Sequence, residues 1–129
     1  MIKSGLLNPA VLQLLARVRH TNTLVIADRG FPFWPQIETV DISLVDDVPT
    51  VLQVLDAIRA NFVIGRAYAA VEFKTHNSTA TQAALTSRLK KIPVIFEPHI
   101  EFKKRVPHAI GLIRTGGAIP YSNLIIESA

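Results

Sequence analysis

The stretch Thr23-Leu24-Val25-Ile26-Ala27-Asp28-Arg29-Gly30-Phe31-Pro32 decides the fold. Its first five residues are a short, nearly continuous β-type run. A strand with one face in water alternates apolar and polar residues, and this one does not, so it reads as a strand covered on both faces. The run stops at Asp28-Arg29-Gly30. In Phe31-Pro32-Phe33-Trp34-Pro35, which follows, the prolines forbid regular structure.

Working outward, Asn8-Pro9 marks a helix start, with Asn as N-cap and Pro at the first helical position, where its missing N–H costs nothing. Val11, Leu14, Leu15 and Val18 follow at helical spacing, and the helix is expected to end near His20. Downstream, Asp41–Leu44 predicts a short strand. Val48-Pro49 opens a second helix that buries Val51, Leu52, Val54, Leu55 and Ile58, with Asp46-Asp47 near its N-terminus. Ala67–Phe73 reads as a strand. Asn77-Ser78-Thr79 can cap a third helix through Leu89, whose end carries Arg88, Lys90 and Lys91. Val94–Phe96 is a strand stopped before Pro98, His99–Val106 a short helix, and Ala109–Arg114 and Asn123–Ile126 two closing strands around Thr115-Gly116-Gly117. The pattern is α/β: one domain over residues 1–129, a central sheet of short buried strands with helices on both faces.

Composition agrees with that reading. In 129 residues, 49% are apolar and 19% charged, too much of the first and too little of the second for disorder. A chain this long buries roughly two thirds of its unfolded surface on folding. The absence of Cys excludes a disulfide framework and a thiolate zinc site. No run of about 18 apolar residues is present to span a bilayer. Asn8, Pro9, Gln13 and Arg17 interrupt the apolar N-terminal segment, which reads as the first helix of a cytoplasmic domain and not as a signal peptide. The net charge is +4. Its only dense basic run is Lys103-Lys104-Arg105, short enough to be a solvated helix face, so nucleic acid is not expected as a partner.

Ligands of open α/β sheets bind outside the strand ends, so polar residues there are the candidates for chemistry. His20 and Asp28 bracket the first strand. A five-residue strand spans about 17 Å, so the two reach one pocket only if the chain turns back. His99 and Lys103, four residues apart, share one helix face. Pro120-Tyr121-Ser122-Asn123 brings a phenol, a hydroxyl and an amide to the start of the last strand. The four histidines show no i, i+3 or i+4 pair, so no metal site is expected. Gly-x-Gly-x-x-Gly, the P-loop pattern and Gly-x-Ser-x-Gly are all missing, so neither a nucleotide cofactor nor acyl-enzyme chemistry is indicated. What remains is a cofactor-free set of His, Asp, Lys, Tyr and Asn, suited to acid–base work on a polyhydroxy ligand. Trp34 and Phe33 could offer a sugar ring an apolar face, although core packing is the commoner use of either.

The order of these pieces resembles a known family. Asn8, His20, Leu24-Val-Ile-Ala-Asp28-x-Gly30-x-Pro32, Pro49…Val54-Leu55, Glu72-x-Lys74-x-His76-Asn77, His99-x-x-Phe102-Lys103-Lys104, Ile113-Arg114-Thr115-Gly116 and Pro120-Tyr121-Ser122-Asn123 come in the order of the D-ribose pyranase family, related to L-fucose mutarotase. The resemblance covers nearly the whole chain. It implies a cytoplasmic, cofactor-free mutarotase that interconverts pyranose and furanose forms of ribose or a related aldose. It also implies a ring-shaped homo-oligomer, a decamer, with sites at subunit interfaces. Residue by residue, it makes His20 the catalytic proton donor. Asp28, His99, Lys103 and the segment Tyr121, Ser122, Asn123 become sugar-binding residues. Two departures stand out: Arg19-His20-Thr21-Asn22 replaces Gly-His-x-Asp, and Arg29–Trp34 is bulkier than the family's usual loop. Asn22 supplies no charge to His20, which is the feature that would fit the alternative, a non-catalytic sugar-binding relative.

Overall fold

A computed structural model describes residues 1–3 and 5–129. Six strands form one sheet in the order β2-β5-β1-β6-β3-β4, where β1 is Thr23–Ala27, β2 Glu38–Asp41, β3 Ile64–Ala70, β4 Val94–Glu97, β5 Gly111–Arg114 and β6 Leu124–Ser128. β1 and β2 each run parallel to β5, and β3 runs parallel to β4. Only β6 is reversed, wedged antiparallel between β1 and β3. Five strands therefore end at one edge of the sheet, and β6 begins there.

Alternate residues of each inner strand feed two separate cores, which is why β1 shows no polar alternation. Leu24 and Ile26 join Ile113, Leu124, Ile126, Ala67 and Ala69 on one face. That face is covered by α1 (Pro9–Arg17), α2 (Val51–Arg59), α3 (Glu72–His76) and α4 (Thr79–Leu89), which contribute Val11, Leu14, Leu55, Ile58, Phe73, Leu85 and Leu89. Val25 and Ala27 point the other way, with Leu112, Ile125 and Tyr68, beneath Phe102 and Val106. Phe102 belongs to α5 (His99–Arg105), and Val106 opens the short 3₁₀ turn Val106–His108. The expected single domain with helices on both faces is the observed one.

Helix starts follow the sequence closely. Asn8 Oδ1 accepts the Val11 N–H at 3.1 Å, and Ser78 caps α4 by accepting the Thr81 N–H. Several boundaries differ from expectation. The second strand is Glu38–Asp41, because Asp41 turns the chain by accepting the Ser43 N–H and hydroxyl. The second helix begins at Val51, where Thr50 and Gln53 form a capping box. The Ala67–Phe73 run splits: β3 stops at Ala70 and Glu72 opens α3. The first helix also ends at Arg17, leaving His20 in a turn. Asp46 and Asp47 serve loops and not the helix: Asp46 pairs with Arg29 at 2.6 Å, and Asp47 accepts the Ala118 N–H.

Candidate active site

At the shared strand edge, a cavity of about 240 Å³ is lined by Asp28, Gly30, Phe31, Pro32, His99, Pro120, Tyr121 and Asn123. It is smaller than the roughly 300–1,000 Å³ of pockets for drug-sized ligands, a size suited to a small polar molecule. The topology explains who meets whom. Asp28 follows β1, His99 follows β4 by way of Pro98, and Tyr121 to Asn123 lead into the reversed β6. Because Ile26 pairs with Leu124 across β1 and β6, the next positions outward bring Asp28 beside Asn123.

Hydrogen bonds fix this rim. Asn123 Oδ1 accepts the Asp28 N–H at 2.7 Å, and Asp28 Oδ1 accepts the Gly30 N–H at 3.0 Å. The Ala27 carbonyl accepts both the Thr115 N–H (2.9 Å) and its hydroxyl (2.8 Å). The Gly117 carbonyl takes the Arg29 N–H. Arg114, at the end of β5, donates through Nη2 to the Arg29 carbonyl (2.7 Å) while Nη1 reaches Asp41 and Ser43. Gly116 is required by space: a Cβ there would lie 2.3 Å from the Val45 carbonyl oxygen.

His99 is held by three rings. Its imidazole stacks on Phe102 (5.8 Å between centroids, 13°) and meets the edges of Phe31 (6.0 Å) and Tyr121 (5.2 Å). Its Nδ1 is buried with no hydrogen-bond partner among the described residues, an atom free to bond a ligand. Burial pushes the imidazole below its ordinary value, helped by the nearby Lys103 ammonium and opposed by Glu72 and Asp28. Burial pushes the Asp28 carboxyl up, opposed by the Gly30 N–H, the Asn123 side chain, the Phe31 N–H and His99. The histidine is therefore neutral at pH 7, and the carboxyl has been moved toward it, a pairing that favours proton transfer.

Of the residues singled out from the sequence, the cavity unites Asp28, His99, Tyr121 and Asn123. Three others lie elsewhere. His20 is exposed in the turn before β1, at the opposite edge of the sheet, beside the Thr21 N–H that donates to the Ser128 carbonyl. Asn22 does not turn toward it but accepts the Arg19 N–H at 2.9 Å. Lys103 lines a neighbouring groove with Pro32, Trp34 and Ile100 and reaches His99 only through its charge. The Ser122 side chain points away, into a second cavity of about 250 Å³ between α2 and α4, where its hydroxyl has no hydrogen-bond partner among the described residues. The aromatic wall of the site is Phe31, not Phe33 or Trp34. Phe33 is 76% exposed, and Trp34 packs behind Phe31 at 6.3 Å. Phe31, Glu72 and Arg114 are contributors that their sequence context does not announce, since each acts through a contact distant in the chain.

The model of the RbsD / FucU transport protein family matches residues 1–129. The chain belongs to that family. Among curated members, the D-ribose pyranase of Geobacillus kaustophilus is 41% identical over 128 residues, 99% of this chain and 93% of the relative. The D-ribose pyranase of Geobacillus thermodenitrificans is 39% identical over 99% of this chain and 96% of its own. Among solved structures, Bacillus subtilis RbsD complexed with D-ribose superposes with a TM-score of 0.93 at 29% identity, covering 100% of this chain and 98% of that one. The Streptococcus pneumoniae fucose mutarotase in complex with L-fucose shares the fold, with a TM-score of 0.80 at 15% identity over 95% and 92% of the two chains.

Proposed function

We propose that this chain is an isomerase that interconverts the pyranose and furanose forms of D-ribose in the cavity bounded by Asp28, His99, Tyr121 and Asn123. The observation that carries the reading is the convergence of these four side chains at one strand edge, in a chain that aligns end to end with D-ribose pyranases. A pyranose is a hemiacetal. Opening it requires one proton delivered to the ring oxygen and one removed from the anomeric hydroxyl, and closing through another hydroxyl gives the furanose. Asp28 and the Asn123 amide are placed to hold sugar hydroxyls, and Phe31 gives the ring an apolar wall. Neutral His99 and the Asp28 carboxylate are the cavity groups able to take the anomeric proton.

The proton donor is His20 of a second copy. Within one chain His20 lies across the sheet from the cavity, so a site containing both needs two chains. Large apolar side chains left exposed fit such contacts: Phe33 (76%) and Ile100 (65%) flank the cavity, with Leu44 (77%) and Val45 (62%) on the loop after β2. The assembly is a ring of ten chains in this reading, and it resides in the cytoplasm. Among the described residues, no helix is long and apolar enough to cross a membrane. The basic run is partly paired, Lys104 with Glu101 at 2.9 Å and Arg105 with Glu97, which leaves little to grip a phosphate backbone.

Exchange spectroscopy by NMR on equilibrated D-ribose tests the activity directly. Catalytic amounts of protein are expected to broaden or cross-link pyranose and furanose anomeric signals. Saturation transfer to bound ribose with unaltered exchange rates would instead establish the non-catalytic sugar binder. Sedimentation tests the assembly, and a monomer at assay concentration contradicts the shared site.

A further inference from the structure

Beside the cavity lies a five-residue helix that the mechanism above does not use. Both oxygens of Glu72, the first residue of α3, accept the His99 backbone N–H, at 3.1 and 2.9 Å. α5 starts after Pro98, which has no side chain able to cap it. The carboxylate that local sequence lacks arrives from the adjacent strand's connection. At the other end of α3, the His76 ring lies 4.8 Å from the Tyr121 ring. His76 Nδ1 is 3.0 Å from the Glu72 carbonyl oxygen and 2.9 Å from the Thr75 hydroxyl, which fixes the ring's orientation. The next residue, Asn77, donates from Nδ2 to the Phe73 and Pro120 carbonyls, both at 2.9 Å.

These contacts meet a backbone that needs them. Tyr121 has φ 56°, in the left-handed region that non-glycine residues adopt at a cost, and such a residue persists only where its surroundings over-determine it. Pro120 is tied to Asn77 on one side of Tyr121, and Asn123 is tied to the Asp28 N–H on the other. His76 then sets where the phenol ring rests.

We propose that α3 is the positioning element of the sugar site: Glu72 places His99, and His76 with Asn77 places Tyr121. The two walls of the cavity, one following β4 and the other leading into β6, are thereby registered on one short helix. The proposal rests on the sugar-site reading, but its structural half can be read without sugar.

The test compares E72A, E72Q and H76A in the intact protein. E72A is expected to lower kcat for ribose interconversion roughly 10–10²-fold, the scale of a sub-ångström to ångström misplacement of a reacting group. E72Q keeps an oxygen for the His99 N–H and is expected to recover most of that loss. E72Q also removes a negative charge that faces His99. The remaining charged groups around it are Asp28 and Lys103, with the Tyr121 phenol and His76 beyond, so the His99 imidazole is expected to titrate lower than in the wild type. H76A is expected to raise KM and shift the Tyr121 ring resonances while leaving those of His99 in place. Wild-type kcat and unmoved His99 resonances in E72A overturn the first arm, and an unchanged KM with an unmoved Tyr121 ring in H76A overturns the second. If E72A does not fold, E72D, whose shorter side chain withdraws the acceptor from the His99 N–H, is expected to lower kcat and move the His99 resonances, and wild-type values of both overturn the first arm. If the wild type fails to interconvert ribose, the enzyme reading falls, while the ring resonances continue to report on α3.

Discussion

The two ends of β1 contrast sharply. At its C-terminal end Asp28 is half-buried, bonded to Asn123 and Gly30, and crowded by His99, Phe31 and Tyr121. At its N-terminal end His20 is exposed in a turn, and its ring makes no hydrogen bond or ion pair among the described residues. The first end is a finished pocket wall, with its pKa values already shifted by burial. The second is an exposed imidazole with no partner among the described residues. A single sheet cannot make both ends serve one ligand, because about 17 Å of strand separates them. The difference teaches that one chain of this fold completes the cavity by itself, and that the proposed role of His20 requires a second copy.

The strongest attempt to break that contrast mixes two dead variants. H20A and H99A are each expected to lose about 10²–10⁴-fold in ribose exchange rate, the usual cost of removing one acid–base group. Dissociated, mixed and reassembled, they are expected to regain part of the activity, since some mixed sites combine an intact His20 from one chain with an intact His99 from another. NMR exchange rates before and after mixing give the answer. No recovery, in oligomers shown by sedimentation to be mixed, would place both histidines on one chain and collapse the contrast.

Asp28 offers a second test, in which activity and stability move in opposite directions. D28N is expected to lose exchange activity by a similar factor, because an amide accepts no proton from the sugar. Its Oδ1 still accepts the Gly30 N–H, so the turn survives. Burial raises the Asp28 pKa in the folded state, so the native protein holds that proton more tightly than the unfolded chain does. Stability contributed this way is full below about 3.8, and it is lost as pH rises through the raised native value. D28N lacks that loss. Denaturant midpoints are therefore expected to be higher for D28N than for wild type near neutral pH, with the gap closing on acidification below pH 4. A variant less stable than wild type at pH 7 would show that the carboxylate's hydrogen bonds outweigh its desolvation.

A smaller effect belongs to Lys103. Its ammonium helps depress the His99 imidazole without lining the same cavity. K103Q is expected to shift His99 titration upward, toward the ordinary value of 6.5, while KM for ribose changes little. A large rise in KM with an unmoved His99 titration would mean that Lys103 touches the sugar itself.

Sequence made some of these features plain and concealed others for identifiable reasons. β1 is readable because four consecutive apolar residues, Leu24–Ala27, must be covered on both faces, and α1 and α4 because Asn8 and Ser78 cap them with their own side chains. Asp28, His99, Tyr121 and Asn123 are readable as polar residues where strands start or end. The start of α3 is hidden at the end of Ala67–Phe73, since Val71 and Phe73 prolong the apolar run and five helical residues are too few to show a period. Phe31 sits among prolines in a segment that reads only as irregular, and nothing local says it turns inward while Phe33 turns out. Glu72 binds a backbone N–H 27 residues away. Such pairings exist only after the sheet has assembled.

Ser122 carries the same lesson at the scale of a single side chain. Its neighbours Tyr121 and Asn123 face the cavity at the strand edge, and its own hydroxyl enters the cavity between α2 and α4, 8% exposed as a residue and without a hydrogen-bond partner among the described residues. A buried hydroxyl without a hydrogen bond costs stability relative to an apolar group of similar size. S122A is therefore expected to leave kcat and KM for ribose within a factor of about two and to raise the denaturant midpoint slightly, an order of effect typical of relieving one unsatisfied hydroxyl. Matched kinetics and melts of wild type and S122A decide it. A raised KM would mean that the hydroxyl swings round to the sugar, and the two sides of this segment would then be one site.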